Sequence, residues 1–245
     1  MCGRFVSSTP VSVLAERFLA ADVRLDEEQA PRFNVAPSDP VVAIAGVGRT
    51  RRLRTLSWGL VPSWADTPSP GRRMVNLRSE TLVERPGFRR MLQQRRCIVP
   101  ADGFYEWRAS GANGPKQPYL IRSRDGAPLA MAGLWDVWMD RRDAGAERLR
   151  TCTVLTTAPN RVMAALHDRM PVVLPPQAWD RWLDPSVTDV DALSALLRPC
   201  ADELLEVVPV GPAVNSVRND GPELVESVEP AVRMVPMWDE SPPLP

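Results

Sequence analysis

The chain has 245 residues, 44% hydrophobic and 24% charged, with 30 basic and 30 acidic side chains. That is enough to bury one real core and too apolar for intrinsic disorder. No apolar run approaches the roughly 18 residues that a membrane span needs. Proline, at 26 of 245 residues, stands at about twice its usual share, which argues against a helical bundle and for many turns. The opening MCGRFVSSTP has no basic region followed by an apolar stretch. It does not read as a secretory signal, and a cytosolic protein is expected.

Val11, Leu14 and Phe18 recur at helical spacing behind Ser8, Thr9 and Pro10, which predicts a first helix. Short β-prone runs bounded by Gly, Pro, Asp or Ser follow at 41–45, 97–99, 103–107, 119–121, 129–137 and 151–156. Two short helices broken near Pro86 are predicted between Ser79 and Gln94. One or two helical turns are expected at 160–166, and further helices at 176–183 and 190–197. There is no internal repeat and no linker long enough to separate domains. The stretch after Gly221 is acidic and proline-rich, and its end, SPPLP, is expected to fray. The pattern predicts an α+β fold: a single domain over 1–227 with a β-rich, barrel-like core and peripheral short helices, then a tail over 228–245.

The balanced net charge hides an asymmetry. From Arg49 to Arg96 there are twelve arginines against Asp66, Glu80 and Glu84, a local balance of plus nine. Residues 1–48 carry four basic and six acidic groups, and the chain from Cys97 carries 14 and 21. Such a segment suits a phosphate-facing surface, or equally a set of solvated faces and ion pairs. Lys116 is the single lysine, so 29 of 30 basic residues are arginine, whose planar fork matches phosphate oxygens.

The cysteines are Cys2, Cys97, Cys152 and Cys200; none has C-x-x-C spacing and there is one histidine, so no zinc site is expected. Wide spacing favours free thiols, and Cys97 and Cys152 read as buried strand positions. Cys2 differs by position. Loss of Met1 would leave a cysteine with a free α-amine and a thiol on adjacent carbons. With pKa values of about 8 and about 8.5, both are partly nucleophilic at neutral pH. A 1,2-aminothiol condenses with an aldehyde to an imine, and the thiol then closes a thiazolidine ring. The alternative is an ordinary cysteine at the start of an edge strand.

His167, in ALHDRMP, is the one side chain whose unperturbed pKa lies near neutrality; a structural histidine is the alternative. Strand alternation in DGFYEW puts Phe104 and Glu106 on one face, Tyr105 and Trp107 on the other. A carboxylate among aromatics suits general acid–base work, unless it is paired to an arginine. Asn76, in MVNLRSET, could orient a ligand and Arg78 could hold a phosphate. Trp58 and Trp64 bracket WGLVPSW, as a stacking platform for single-stranded nucleic acid or as core residues.

Together MCGRF, PRFNVAPS, WGLVPSWA, MVNLRSET, CIVPADGFYEW, MAGLWDVW, TVLTTAPN, LHDRMPVVL and VNSVRND resemble the SRAP family, the SOS-response-associated peptidase-like proteins. The matches run in order from residue 2 to about 227. The resemblance implies recognition of abasic sites in single-stranded DNA and a covalent crosslink through Cys2 that shields the lesion. Carried over motif by motif, Asn76 positions the sugar or the terminal amine. Glu106 is the acid–base group for imine formation, and His167 protonates the sugar ring oxygen and assists reversal. Arg4, Arg78 and Arg169 bind phosphates; Pro37 and Trp64 wedge or stack at the lesion; Trp107 supports this face. NLRSET stands where NARSET is commoner, so Leu77 replaces a small residue. The family's peptidase label implies self-processing that exposes Cys2. No cofactor, metal or membrane is implied. A monomer is expected, cytoplasmic in a bacterium and on the nucleoid when bound to DNA.

Two rivals belong to other classes. An N-terminal-nucleophile glutamine amidotransferase also begins Met-Cys-Gly, but would need a glutamine pocket; Asn113-Gly114 reads more easily as a turn. A passive single-strand binder would show salt-sensitive binding without covalent product.

Overall fold

The computed structural model describes residues 3–25, 29–48, 50–69, 73–109, 116–140, 142 and 147–229. In chain order the strands are β1 (Phe5–Ser7), β2 (Ala20–Arg24), β3 (Arg32–Val35), β4 (Pro40–Val47), β5 (Thr50–Trp58), β6 (Asn76–Arg78), β7 (Arg96–Ala101), β8 (Gly103–Ala109), β9 (Lys116–Ser123), β10 (Leu129–Trp138), β11 (Leu149–Thr157), β12 (Met170–Pro171) and β13 (Leu205–Pro209). The helices are α1 (Val11–Arg17), α2 (Pro86–Gln94), α3 (Arg161–Ala164), α4 (Pro176–Leu183) and α5 (Val190–Ser194).

Strands β4, β7 and β10 are near-continuous apolar runs, the pattern of strands covered on both faces. They pair antiparallel in the order β5-β4-β7-β10-β11. β11 then returns to β5 in parallel through Thr151↔Ser57 and Cys152↔Trp58. Five strands thereby close into a barrel, and closure removes the open edges a flat sheet would leave. Alternate side chains go to opposite sides. Val42, Ile44, Ile98, Ala132 and Leu134 pack with Phe18, Leu92, Trp179 and Trp182 of the helical layer. Val41, Ala43, Cys97, Val99, Met131 and Cys152 pack with Phe5, Phe104 and Ile121 of a second sheet, ordered β13-β9-β8-β1-β3.

The α+β expectation with a barrel-like core holds. All six strand runs anticipated from the sequence are present, and so are the helical segments, except that the first of the two expected between Ser79 and Gln94 is a single 3-10 turn at Ser79–Thr81 and the second, α2, begins at Pro86. Cys97, Cys152 and Cys200 are free thiols, and the first two are fully buried. One start signal works differently: the hydroxyls of Ser8 and Thr9 do not cap α1 but bond the carboxylate of Asp102. The tail from 230 onward lies outside the described residues, as does Asn113-Gly114.

Strand β5 carries no clean alternation and reads in sequence as part of the basic segment. Its arginines find partners that only the fold supplies: Arg51 pairs with Asp180, while Arg52 and Arg54 pair with Asp22. Arg96 is 4% exposed and donates to the carbonyls of Trp182, Leu92, Gln93 and Asp184. It stitches α2 and α4 to the barrel, and burial lowers its pKa to about 10.

Trp58 sits where the barrel closes and is fully buried. Its indole Nε1 donates to the Val75 carbonyl at 3.0 Å, and its own carbonyl accepts from Ser38 N–H at 2.6 Å. Its ring meets Phe5 edge-on at 4.9 Å. The next residue, Gly59, has φ +127°, where a side chain would be strained, and donates to the Cys152 carbonyl at 2.8 Å. Trp58→Phe removes one of the three donors on the Val75 carbonyl and leaves a void where the five-membered ring was buried. It is expected to lower stability by about 1–3 kcal/mol, read by urea unfolding.

Candidate functional site

Glu106 lies on β8. The alternation expected from the sequence holds: Phe104 faces the core with Phe5 and Trp58, while Tyr105 and Trp107 face the other way. Glu106 is 4% exposed, and burial raises its carboxyl above the ordinary value, with the charge of His167 among the opposing influences. Beside it runs β1, through Phe5↔Phe104 and a 3.0 Å bond from Tyr105 N–H to the Arg4 carbonyl. Continuing that register brings Gly3 level with Glu106. Met1 and Cys2 lie outside the described residues.

Asn76 begins β6, which pairs in parallel with β11 through Val154↔Asn76 and Thr156↔Arg78. The preceding carbonyl, that of Val75, accepts from Trp58 Nε1, from Thr153 Oγ1 and from Val154 N–H, all within 3.0–3.1 Å. Three donors on one carbonyl fix the backbone from which Asn76 projects.

His167 follows α3, whose first turn is capped by the Asn160 side chain accepting from Met163 N–H. His167 N–H donates to the Met163 carbonyl at 2.9 Å, and Met163 is fully buried. Imidazole Nδ1 accepts from Arg169 N–H at 3.0 Å and lies 2.7 Å from an Asp168 oxygen. The next two residues, Met170 and Pro171, pair with Thr157 and Thr156 of β11. Asn76 and His167 are thus hung on the same end of one barrel strand.

The arginines and aromatic residues expected on DNA are placed as follows. Arg4 Nη1 donates to Asn34 Oδ1 at 2.9 Å and to the Val214 carbonyl at 3.1 Å. Trp107 Nε1 donates to Asn215 Oδ1 at 2.7 Å, so these two residues frame one loop. Pro37 is exposed on a turn hung from Trp58, and Arg78 is exposed beyond Asn76. Trp64 is 47% exposed and leans edge-on against Phe88, whereas Trp58 is a core residue. The side chain of Arg169 is 12% exposed, and its guanidinium is bidentate on Glu80.

Three polar residues that sequence reasoning passed over hold this surface together. Asn34, 1% exposed, presents Nδ2 to the carbonyls of Val214, Ser216 and Asn219. Asp220 accepts from Phe33 and Asn34 N–H. Asp136, 4% exposed, accepts from Ser63 N–H at 2.7 Å and so sets the loop that carries Trp64. Their only sequence signal is a polar residue inside an otherwise apolar motif. An apolar cavity of about 380 Å³ lined by Leu129, Leu174, Trp179 and Leu204 contains none of the site residues. Among the described residues no cluster of His, Cys, Asp or Glu could hold a metal, and no helix is long and apolar enough to cross a membrane.

The family model "SOS response associated peptidase (SRAP)" matches residues 1–217. The chain belongs to the SRAP family. It is 40% identical over 227 residues to the abasic site processing protein YoqW of Bacillus subtilis, covering 93% of this chain and all of that one. It is 32% identical over 233 residues to the abasic site processing protein YedK of Escherichia coli, with the same coverage. The abasic site processing protein HMCES of Gallus gallus is 35% identical over 202 residues, 73% of this chain and 58% of that protein. A crystal structure of a protein from Bacteroides thetaiotaomicron superposes with TM-score 0.79 at 27% identity, over 93% of this chain and all of that one. Within the SRAP pattern, Leu77 is accommodated by packing its side chain against the helical core layer.

A buried carboxyl with a raised pKa costs the fold stability in its ionised form. That cost is absent below the unfolded pKa of about 4.3 and grows as pH rises through the raised folded value. Glu106→Gln should therefore melt higher than the parent at pH 8, by roughly 2–4 °C. The gap should close below about pH 4, as read by scanning fluorimetry across pH.

Proposed function

We propose that this chain processes abasic sites in single-stranded DNA by forming a covalent adduct through Cys2 after Met1 is removed. The observation that carries this is Glu106: a buried carboxyl of raised pKa beside the strand that leads back to the chain's start, within electrostatic reach of the only histidine. A carboxyl whose charged form is disfavoured by burial suits a reaction that must both give and take a proton. The relatives' shared name, abasic site processing protein, supports the choice of electrophile.

An abasic deoxyribose interconverts between a closed ring and an open aldehyde. His167 protonates the ring oxygen and favours opening. The α-amine of Cys2 attacks the aldehyde carbon, and the carbinolamine loses its hydroxyl as water with a proton from Glu106. The Cys2 thiol then adds to the imine carbon, its proton passing to the nitrogen, and a five-membered thiazolidine closes. Closure consumes the imine that would otherwise permit strand cleavage by β-elimination. Asn76 orients the amine or the sugar. Arg4 and Arg78 take flanking phosphates, Pro37 and Trp64 wedge or stack at the lesion, and Trp107 supports this face through Asn215. Arg169 contributes to this surface through its place beside His167. The protein acts as a cytoplasmic monomer, and the family's peptidase label corresponds to self-processing that exposes Cys2.

Incubation with an abasic-site oligonucleotide followed by denaturing mass spectrometry reads both the N-terminus and the adduct. Cys2→Ala should abolish the adduct while single-strand affinity stays within about three-fold. Cys2→Ser should give only a reversible imine, trapped by borohydride; an equally durable Ser adduct would refute ring closure. Glutamine hydrolysis by the purified protein would instead favour an amidotransferase.

Arg78→Glu should weaken binding to any single strand, lesion or not, by roughly ten-fold and flatten its salt dependence. Fluorescence anisotropy across a salt series measures both.

A further inference from the structure

Glu80 has no role in the scheme above, yet it is tied to the histidine by a short chain of contacts. Its two carboxylate oxygens accept from Arg169 Nη1 and Nη2 at 2.7 and 2.8 Å. Arg169 Nη2 also donates to the Thr156 carbonyl at 2.6 Å. Thr156 is the barrel residue that pairs with Arg78 on one side and Pro171 on the other. The backbone N–H of the same Arg169 donates to His167 Nδ1 at 3.0 Å. A bidentate arginine–carboxylate pair fixes geometry as well as charge. With its guanidinium held at three points and its side chain 12% exposed, Arg169 has little freedom to move the backbone N–H that faces the imidazole.

We infer that Glu80 is a positioning residue for His167, acting through Arg169; this rests on the reading of His167 as a proton-transfer group. An N–H aimed at Nδ1 requires a lone pair there, which puts the neutral ring's proton on Nε2. Asp168, whose oxygen lies 2.7 Å from the same Nδ1, pulls the other way, but its side chain is 81% exposed and screened by solvent. Glu106 is the carboxyl that senses the ring's charge from the second sheet. Glu80 is placed to favour the Nε2–H tautomer because it anchors Arg169 to the turn Ser79–Thr81, directly after Arg78. One ion pair thereby couples the strand carrying Asn76 to the loop carrying His167. The competing idea is that Glu80 merely masks Arg169 until a DNA phosphate displaces it. The bond from Arg169 Nη2 to the Thr156 carbonyl, which a phosphate displacing Glu80 would not replace, favours positioning.

The only histidine in the chain makes the test direct, because ¹⁵N resonances of its ring need no assignment. In full-length protein without DNA, the parent should show the Nε2–H tautomer at neutral pH. Glu80→Ala should mix the two tautomers and move the ring's titration midpoint, while Glu80→Gln, which keeps one hydrogen bond, should restore part of the parental spectrum. With abasic-site DNA, Glu80→Ala should slow adduct formation by roughly ten-fold or more, with affinity for undamaged single strand held within about three-fold. In a His167→Ala background the same change should cost less than about two-fold, since the two act as a unit. An unchanged tautomer ratio and titration in both Glu80 variants would overturn the inference. So would Glu80→Ala tightening DNA binding without slowing the adduct, the mark of a mask. If the parent forms no adduct but the tautomer still shifts, the crosslinking function fails and the positioning role stands.

Discussion

The structure depends on the closure of the barrel at Trp58 and Cys152. There a parallel pairing joins the first and last barrel strands, and one buried indole reaches three neighbouring segments. Its ring holds Phe5, two residues from the first described residue; its carbonyl holds the turn of Pro37; its N–H holds the carbonyl before Asn76. A side chain with a large apolar area and a single donor can be fully buried only if that donor is satisfied. Satisfying it is what registers β6 on the barrel. The site's geometry is therefore tied to how the core closes, which is how segments far apart in sequence come to meet.

Charge is divided by the same geometry. The plus-nine segment contains two populations of arginine. Arg51, Arg52, Arg54 and Arg96 are consumed in holding the fold, by Asp180, by Asp22 and by four backbone carbonyls. Arg78, Arg85, Arg89 and Arg90 remain exposed. Exposed arginines and a set of internal ion pairs, which look like alternatives in a charge count, coexist because β5 lies beside Asp22 of β2 and Asp180 of α4 while β6 and α2 present their arginines to solvent. Arg169 belongs with the first population, bound to Glu80.

Glu106 shows the opposite economy, a charge placed where the fold disfavours it. A buried carboxyl with a raised pKa works against stability at neutral pH, and folds retain such groups where chemistry needs them. The residues around it are held by backbone bonds rather than by side-chain packing alone: Tyr105 to the Arg4 carbonyl, His167 to the Met163 carbonyl, Val154 to the Val75 carbonyl. The proton transfer proposed for Glu106 and His167 needs that fixity, because a displacement of about 1 Å is enough to lose much of the advantage of proximity.

The sequence by itself determined the elements whose signals are local. Apolar runs such as those of β4, β7 and β10, the proline-started α2 and α4, and the alternation placing Glu106 opposite Tyr105 follow from residue order alone. The ordered motifs were equally legible, and with them the SRAP family. Strand β5 was not legible, since its arginines break the alternation and find partners only when Asp22 and Asp180 arrive from elsewhere. Nor were Asn34 and Asp136, whose partners lie far along the chain. Only the tertiary structure decided which of Trp58 and Trp64 is core, and that Arg169 faces Glu80. Those outcomes depend on long-range pairings across the barrel seam, and local propensity carries no information about them.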